Sequence, residues 1–167
     1  MMIAIDTSVL IGILDARDVW HRAAMELQGA LQAAQWAAIY FDCVVAEAIS
    51  TLTRRLREQR RPQELSSLLE RLEAELPPET LTWLYPEVPR LYRPVLELIR
   101  TSAGELNFHD GLIAVACRER QMRLLASFDP DFDRLPWLTR VATPTDVMAV
   151  RAATPLETDA PEAPEHG

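Results

Sequence analysis

Lysine is absent. All 17 basic side chains of the 167-residue chain are arginine, which excludes chemistry that needs an ammonium group, such as a Walker-type phosphate loop or a Schiff-base enzyme. Cysteine is scarce. Cys43 and Cys117 stand 74 positions apart, each inside an apolar segment and without the paired spacing of a zinc site or a disulfide framework. They read as small reduced core residues. Aromatic residues make up only 7% of the chain, too few to support extensive base stacking. Long apolar runs are missing as well. The opening "MMIAIDTSVLIGIL" contains Asp6, lacks a basic n-region and stops short of a membrane span. The expectation is a cytoplasmic protein with no membrane segment.

What is present suits one packed domain, since 49% of the 167 residues are apolar. Four of the 25 acids (Glu157, Asp159, Glu162 and Glu165) fall in the last eleven positions. Removing these four from the net charge of −8 leaves a body of −4, mildly acidic. The last residues are rich in Pro, Ala, Thr and acids, a composition that buries too little to order itself. The expected organisation is a domain over 1–151 and a disordered acidic tail over 152–167.

"MIAID" reads as a short buried strand, followed by helical spacing from 7 to 35. "AAIYF" is a second strand candidate. From Val44 to Glu58 the pattern is helical, with Val45, Ile49, Leu52 and Leu56 on one face, and Pro62 opens a further helix through Leu76. "TLTWLY" suggests a third strand, and "EVPRLYRPVLELIRTS" a helix started or interrupted by Pro89 and Pro94. Asn107 is a candidate N-cap for "FHDGLIAVACRER"; "RLLAS" and "RVAT" complete the strands. Strands built from continuous apolar runs and separated by helices argue for a parallel sheet covered on both faces.

The stretch "SFDPDFD" crowds Asp129, Asp131 and Asp133 into five positions. Their alternate spacing copies the opening of a calcium loop, but that loop needs Gly at its sixth position and Glu at its twelfth, where this chain has Arg134 and Arg140. Any metal site must draw its other ligands from elsewhere. In open parallel sheets ligands bind at the carboxyl ends of the strands. Four acids fall there: Asp6 after the first strand, Glu47 early in the following helix, Asp110 in the first turn of its helix and Asp129 beyond the "RLLAS" strand. Each alone is explained by capping and the helix dipole. Gathered at one sheet edge, they would repel unless protonated or neutralised, and hard oxygen donors without His or Cys favour Mg²⁺ or Mn²⁺.

The motifs "IDTSVL", "VVAEAISTLTRR", "NFHDGLIAVA" and "LLASFDPDF", in this order and spacing, resemble the PIN-domain nucleases, particularly the VapC-like toxins of toxin–antitoxin pairs. The resemblance spans residues 2 to about 146. It implies a three-layer α/β/α sandwich with a central parallel sheet. It also implies a catalytic metal site formed by Asp6, Glu47, Asp110 and Asp129, with Ser8, Ser127 and Asp131 as supporting groups, and Mg²⁺ or Mn²⁺ as cofactor. The implied activity is endoribonuclease cleavage of RNA; the implied partners are a small antitoxin and a second copy of the chain. His109 stands where the toxins often carry a small residue and reads as a packed or surface histidine. The proline-rich "LPPETLTWLYPEVPRLYRP" also departs from the family pattern.

Arg54, Arg55 and Arg57, with Arg60 and Arg61, cluster at the end of the Glu47 helix. They form a candidate patch for RNA phosphates or, equally, a helix end whose dipole favours cations. Two further functional classes stay open at the level of the residues: a catalytically silent PIN-like binding module, and a phosphodiesterase or phosphatase acting on small molecules.

Overall fold

The apolar run at the start of the chain becomes the centre of the sheet. In a computed structural model that describes residues 1–153, strand β1 (Met2–Ile5) buries Ile3, Ala4 and Ile5 on both faces, as a strand covered by helices on either side must. Strands β2 (Ala37–Ile39), β3 (Leu124–Ala126) and β4 (Thr139–Val141) join it in the order β2-β1-β3-β4, every pair parallel. Ala4 lies opposite Ile39 on one side and Leu125 on the other.

This order has a functional consequence. The chain leaves β1, forms β2 on one side, then crosses back to lay β3 on the other, so the connections diverge between the carboxyl ends of β1 and β3. Such a switch point opens a crevice at the sheet edge. The last rung there is the Asp6 N–H donating to the Ala126 carbonyl at 2.9 Å.

The helical spacing after β1 resolves into two helices, α1 (Thr7–Leu14) and α2 (His21–Ala33). The break is local side-chain chemistry: Asp15 accepts the Arg17 N–H at 3.0 Å and Asp18 accepts the Trp20 N–H at 2.8 Å, turns that compete with helix. Gly12 lets the two helices meet closely, since a Cβ there would stand 2.8 Å from the Ala24 Cβ.

Helix α3 (Asp42–Glu58) buries Val44, Ala48, Leu52 and Leu56. The deeply buried stripe is thus turned slightly from the expected one, and Val45 and Ile49 pack at its margin. Pro62 opens a short 3-10 turn before α4 (Leu65–Glu75).

"TLTWLY" is not a strand. Thr82 makes one parallel bridge with Phe41, through Thr82 N–H to the Tyr40 carbonyl and Asp42 N–H to the Thr82 carbonyl. Pro77, Pro78 and Pro86 supply no N–H and fix φ, and 3-10 turns at Pro78–Thr80 and Tyr85–Glu87 take up the flanks. Buried Asp42 pins this segment by accepting the N–H groups of Leu84 and Tyr85 at 2.8 and 3.0 Å.

Helix α5 (Val88–Thr101) carries Pro89 in its first turn and Pro94 within. Helix α6 (Phe108–Glu119) packs against it, with Gly111 giving close approach to Val95. Helix α7 (Pro144–Ala153) packs on α2. Helices cover both faces of the sheet, giving a three-layer α/β/α fold around one apolar cluster. Helix α7 runs through Ala153, two residues past the expected domain boundary; of the tail expected over 152–167, residues 154–167 lie outside the described residues. No helix among the described residues is long and apolar enough to cross a membrane.

Candidate acid site at the sheet switch point

Asp6 ends β1 and caps α1. Its backbone is extended, and its carboxylate accepts the Ser8 N–H at 3.3 Å. A cap of this kind ordinarily faces solvent, yet Asp6 is 5% exposed. Oδ2 also accepts two hydroxyls, Ser8 Oγ at 2.6 Å and Ser127 Oγ at 2.8 Å. Burial raises the Asp6 pKa above its ordinary value, and the Ser8 and Ser127 hydrogen bonds oppose that rise without cancelling it.

Ser127 follows β3 and is fully buried. Its Oγ accepts the Asp129 N–H at 3.0 Å, and Ser8 Oγ accepts the Phe128 N–H at 3.1 Å. Two hydroxyls therefore clamp the end of β1 to the loop after β3. Asp129 is half-buried and caps the 3-10 turn Pro130–Arg134 by accepting the Asp131 N–H at 2.9 Å.

Glu47 sits in the second turn of α3, where Thr7 Oγ donates to its Oε2 at 2.7 Å. His109 Nδ1 is 3.8 Å from Glu47 Oε1, and the imidazole is 40% exposed. Asp110 lies in the first turn of α6 as the reciprocal half of a capping box: it accepts the Asn107 N–H at 2.9 Å while Asn107 Oδ1 accepts the Asp110 N–H at 3.1 Å. The pKa of Asp110 is pushed up to about 6, chiefly by burial; the Asn107 N–H opposes this, and the negative charges of Asp6, Asp129 and Glu47 add to it.

That last effect links the four acids, which lie far apart in the chain. Each is held by a short hydrogen bond or bonds on a single oxygen: Oδ2 of Asp6, Oε2 of Glu47, Oδ2 of Asp110 and Oδ1 of Asp129. Among the described residues no three His, Cys, Asp or Glu side chains are drawn up as a ready-made cage. The donors are oxygen only, the set that suits a hard divalent ion.

Asp131 takes another direction: its carboxylate is 3.9 Å from Arg134. Asp133 is exposed and pairs with Arg140 at 2.7 Å. Thr7 orients Glu47, a supporting role that the sequence pattern does not single out although the residue lies inside "IDTSVL".

The arginine cluster divides. Arg61 is 7% exposed and forks onto Asp15 at 2.8 and 3.2 Å and onto Glu64 at 2.7 and 3.0 Å. Arg55 donates to Asp18 at 2.6 Å. Arg54, Arg57 and Arg60 remain exposed. Arg54 comes seven residues after Glu47 on α3, hence on the same helix face and about 10 Å further along.

A cavity of about 440 Å³ lies elsewhere, lined by Leu98, Leu106, Leu135, Trp137 and the Glu105–Arg134 pair. Its Thr101 and Ser102 hydroxyls are spent on helix carbonyls. It contains none of the four acids, and the chemistry favours the switch point over this hollow. No curated protein matches the chain. The family model of the PIN domain does, over residues 3–138. That match takes in all four acids and both serine clamps, and the chain belongs to the PIN domain family.

Proposed function

We propose that this PIN domain is a Mg²⁺- or Mn²⁺-dependent endoribonuclease. A PIN domain is a nuclease-type fold, and one observation carries the finer reading: at the sheet switch point Ser127 Oγ donates to Asp6 Oδ2 at 2.8 Å and accepts the Asp129 N–H at 3.0 Å, tying two distant acids to one edge, toward which Asp110 and Glu47 also contribute charge. Acids gathered at one sheet edge cost stability without a cation, and a fold retains them where a ligand compensates. The four carboxylates would hold the ion. When bound, it lowers the pKa of a water molecule and offsets charge on the scissile phosphate.

The chain's own contribution is orientation. Ser8 and Ser127 fix Asp6, Thr7 fixes Glu47, the Asn107 amide fixes Asp110 and the Asp131 amide fixes Asp129. Each acid is thus turned by a neighbour from its own element or the adjoining one, and the second oxygen of Glu47 faces His109 at 3.8 Å. Exposed Arg54, on the Glu47 face of α3, and Arg57 further along the same helix would supply positive charge for phosphates of the substrate.

The chain resembles VapC-like toxins in its motifs, which supports a toxin held by a small antitoxin, with a homodimer as the working unit. An antitoxin Arg reaching the acids would stand in for the cation. Purified protein should cleave RNA with Mn²⁺ or Mg²⁺ and fall silent with chelator. Asp6→Asn and Asp110→Asn should each abolish cleavage while the fold remains. Undiminished cleavage in either variant would remove that acid from the site.

A further inference from the structure

The few aromatic residues of the chain are not evenly spread. Trp20 is 46% exposed and Trp83 52%, although an indole usually buries most of its large apolar surface; of the two, Trp20 is the one stacked on a ring beside Asp129. Trp36, by contrast, is 8% exposed and part of the core. One face of Trp20 lies flat on Phe128, with ring centroids 4.9 Å apart and planes 15° from parallel. Phe128 stands between Ser127, whose hydroxyl holds Asp6, and Asp129, and its N–H is taken by Ser8. The stacked pair and the acid site therefore share one backbone segment.

The backbone that carries the ring is fixed. The Trp20 backbone N–H donates to Asp18 Oδ1 at 2.8 Å, and Asp18 Oδ2 accepts Arg55 at 2.6 Å. The Trp20 carbonyl accepts the Ala24 N–H at 2.8 Å, and the next residue, His21, pairs its Nδ1 with the Gly12 carbonyl at 2.7 Å. A second run of rings approaches the acids from α5 and α6, from Tyr92 to Phe108 to His109 beside Glu47. Those contacts are tilted and edge-on, so they present no single flat face. Trp20 does.

We propose that Trp20 is a stacking shelf that holds a nucleobase of the substrate beside the scissile phosphate, with Phe128 as its backing and the Asp18–Arg55 pair as its brace. This rests on the nuclease reading above and adds to it a residue that sets substrate affinity. Every base has a π face, so the shelf tolerates sequence and requires only that the base be unpaired and free to stack. Arg55 then acts structurally, its guanidinium steadying the shelf through Asp18.

The test needs no knowledge of the natural RNA, because stacking does not depend on base identity. The full chain, with Mn²⁺, is titrated with a short single-stranded oligoribonucleotide carrying 2-aminopurine, and steady-state cleavage of the same strand is measured. Wild type should quench the probe, Trp20→Phe should retain much of the quenching, and Trp20→Ala should lose it. In Trp20→Ala, KM should rise roughly 5- to 150-fold, the equivalent of about 1–3 kcal/mol of stacking, with kcat little changed. Unaltered KM and quenching in Trp20→Ala, while wild type cleaves, would overturn the shelf and leave the nuclease reading standing. Equal loss in Trp20→Phe and Trp20→Ala, with both melting early, would assign the ring to packing. A change of oligomeric state in Trp20→Ala with oligonucleotide binding intact would assign it to a protein partner. If wild type neither binds nor cleaves, the nuclease reading falls and the shelf falls with it.

Discussion

Ser127 and Asp6 are 121 positions apart in the chain, and the Ser127 hydroxyl donates to Asp6 Oδ2 at 2.8 Å. They meet because β1 and β3 are adjacent parallel strands with their carboxyl ends level. Ser127→Ala should strip a buried carboxylate of one donor and leave the Asp129 N–H without its acceptor. The expected cost is about 1–3 kcal/mol of stability, read from urea unfolding. Cleavage should fall roughly 10- to 100-fold, as is usual when a group that orients a ligand is removed.

Asp110 is both a helix cap and a member of the acid site, and a thermal melt separates the two roles. Asn at 110 can still accept the Asn107 N–H, but it removes one negative charge from the cluster. In chelator Asp110→Asn should melt at or above the wild-type temperature. With millimolar Mn²⁺ the wild type should rise by several degrees through mass action, and the variant by much less. Marked destabilisation of the variant in chelator, with no Mn²⁺ shift in either protein, would leave Asp110 as a cap alone.

Asp15 and Arg61 form a buried pair away from the site, and its pH dependence has a definite sign. Burial pushes the Asp15 carboxyl upward, but the Arg61 guanidinium, the Arg17 amide and the charges of both arginines outweigh it, so the pKa lies below the ordinary 3.8. The folded pKa is depressed, so the stability from this pair is fully present above the unfolded value and is lost as pH falls below about 3.8. Asp15→Asn should therefore be less stable than wild type at neutral pH by up to about 3 kcal/mol, because Glu64 keeps Arg61 partly compensated. The two proteins should converge as unfolding is followed below pH 3.8. A difference that persists unchanged into strong acid would rule out the ion pair as its source.

Arg54 and Arg61 sit close in sequence and should behave oppositely. Arg54→Ala should leave the melt unchanged, weaken RNA binding evenly across sequences and lower the salt slope of log K by roughly one. Arg61→Ala should lower stability by leaving Asp15 buried without its partner, whatever RNA is present. An unchanged salt slope in Arg54→Ala would remove that side chain from the phosphate path.

Local pattern alone determined much of this molecule. "MIAID" read as a buried strand, because four apolar side chains in succession leave no polar face. Asn107 ahead of an apolar helical pattern marked the N-cap of α6, and the structure adds Asp110 as the reciprocal half of a capping box. The PIN-like sandwich was legible for the same reason, as continuous apolar strands separated by helices require layers on both faces. "TLTWLY" misled because its β-forming side chains carry no information about the neighbouring prolines' effect on pairing, and only one bridge to Phe41 forms.

Tertiary structure decided the rest, because charge and hydrogen bonding act through space. The resemblance favours Asp129 over Asp131 as the fourth acid, but not how each is held; in the folded chain Asp129 is tied to Ser127 through its N–H, while the Asp131 carboxylate lies 3.9 Å from Arg134. Nor could it separate five neighbouring arginines, of which Arg61 is drawn inside by Asp15, 46 residues away in the chain, and Arg55 is taken by Asp18. The stacking of Trp20 on Phe128, more than a hundred residues later, leaves no local trace at all. Short-range propensity is written into neighbouring residues, whereas which carboxylate, cation or ring finds a partner depends on how the strand order returns distant segments to one edge of the sheet.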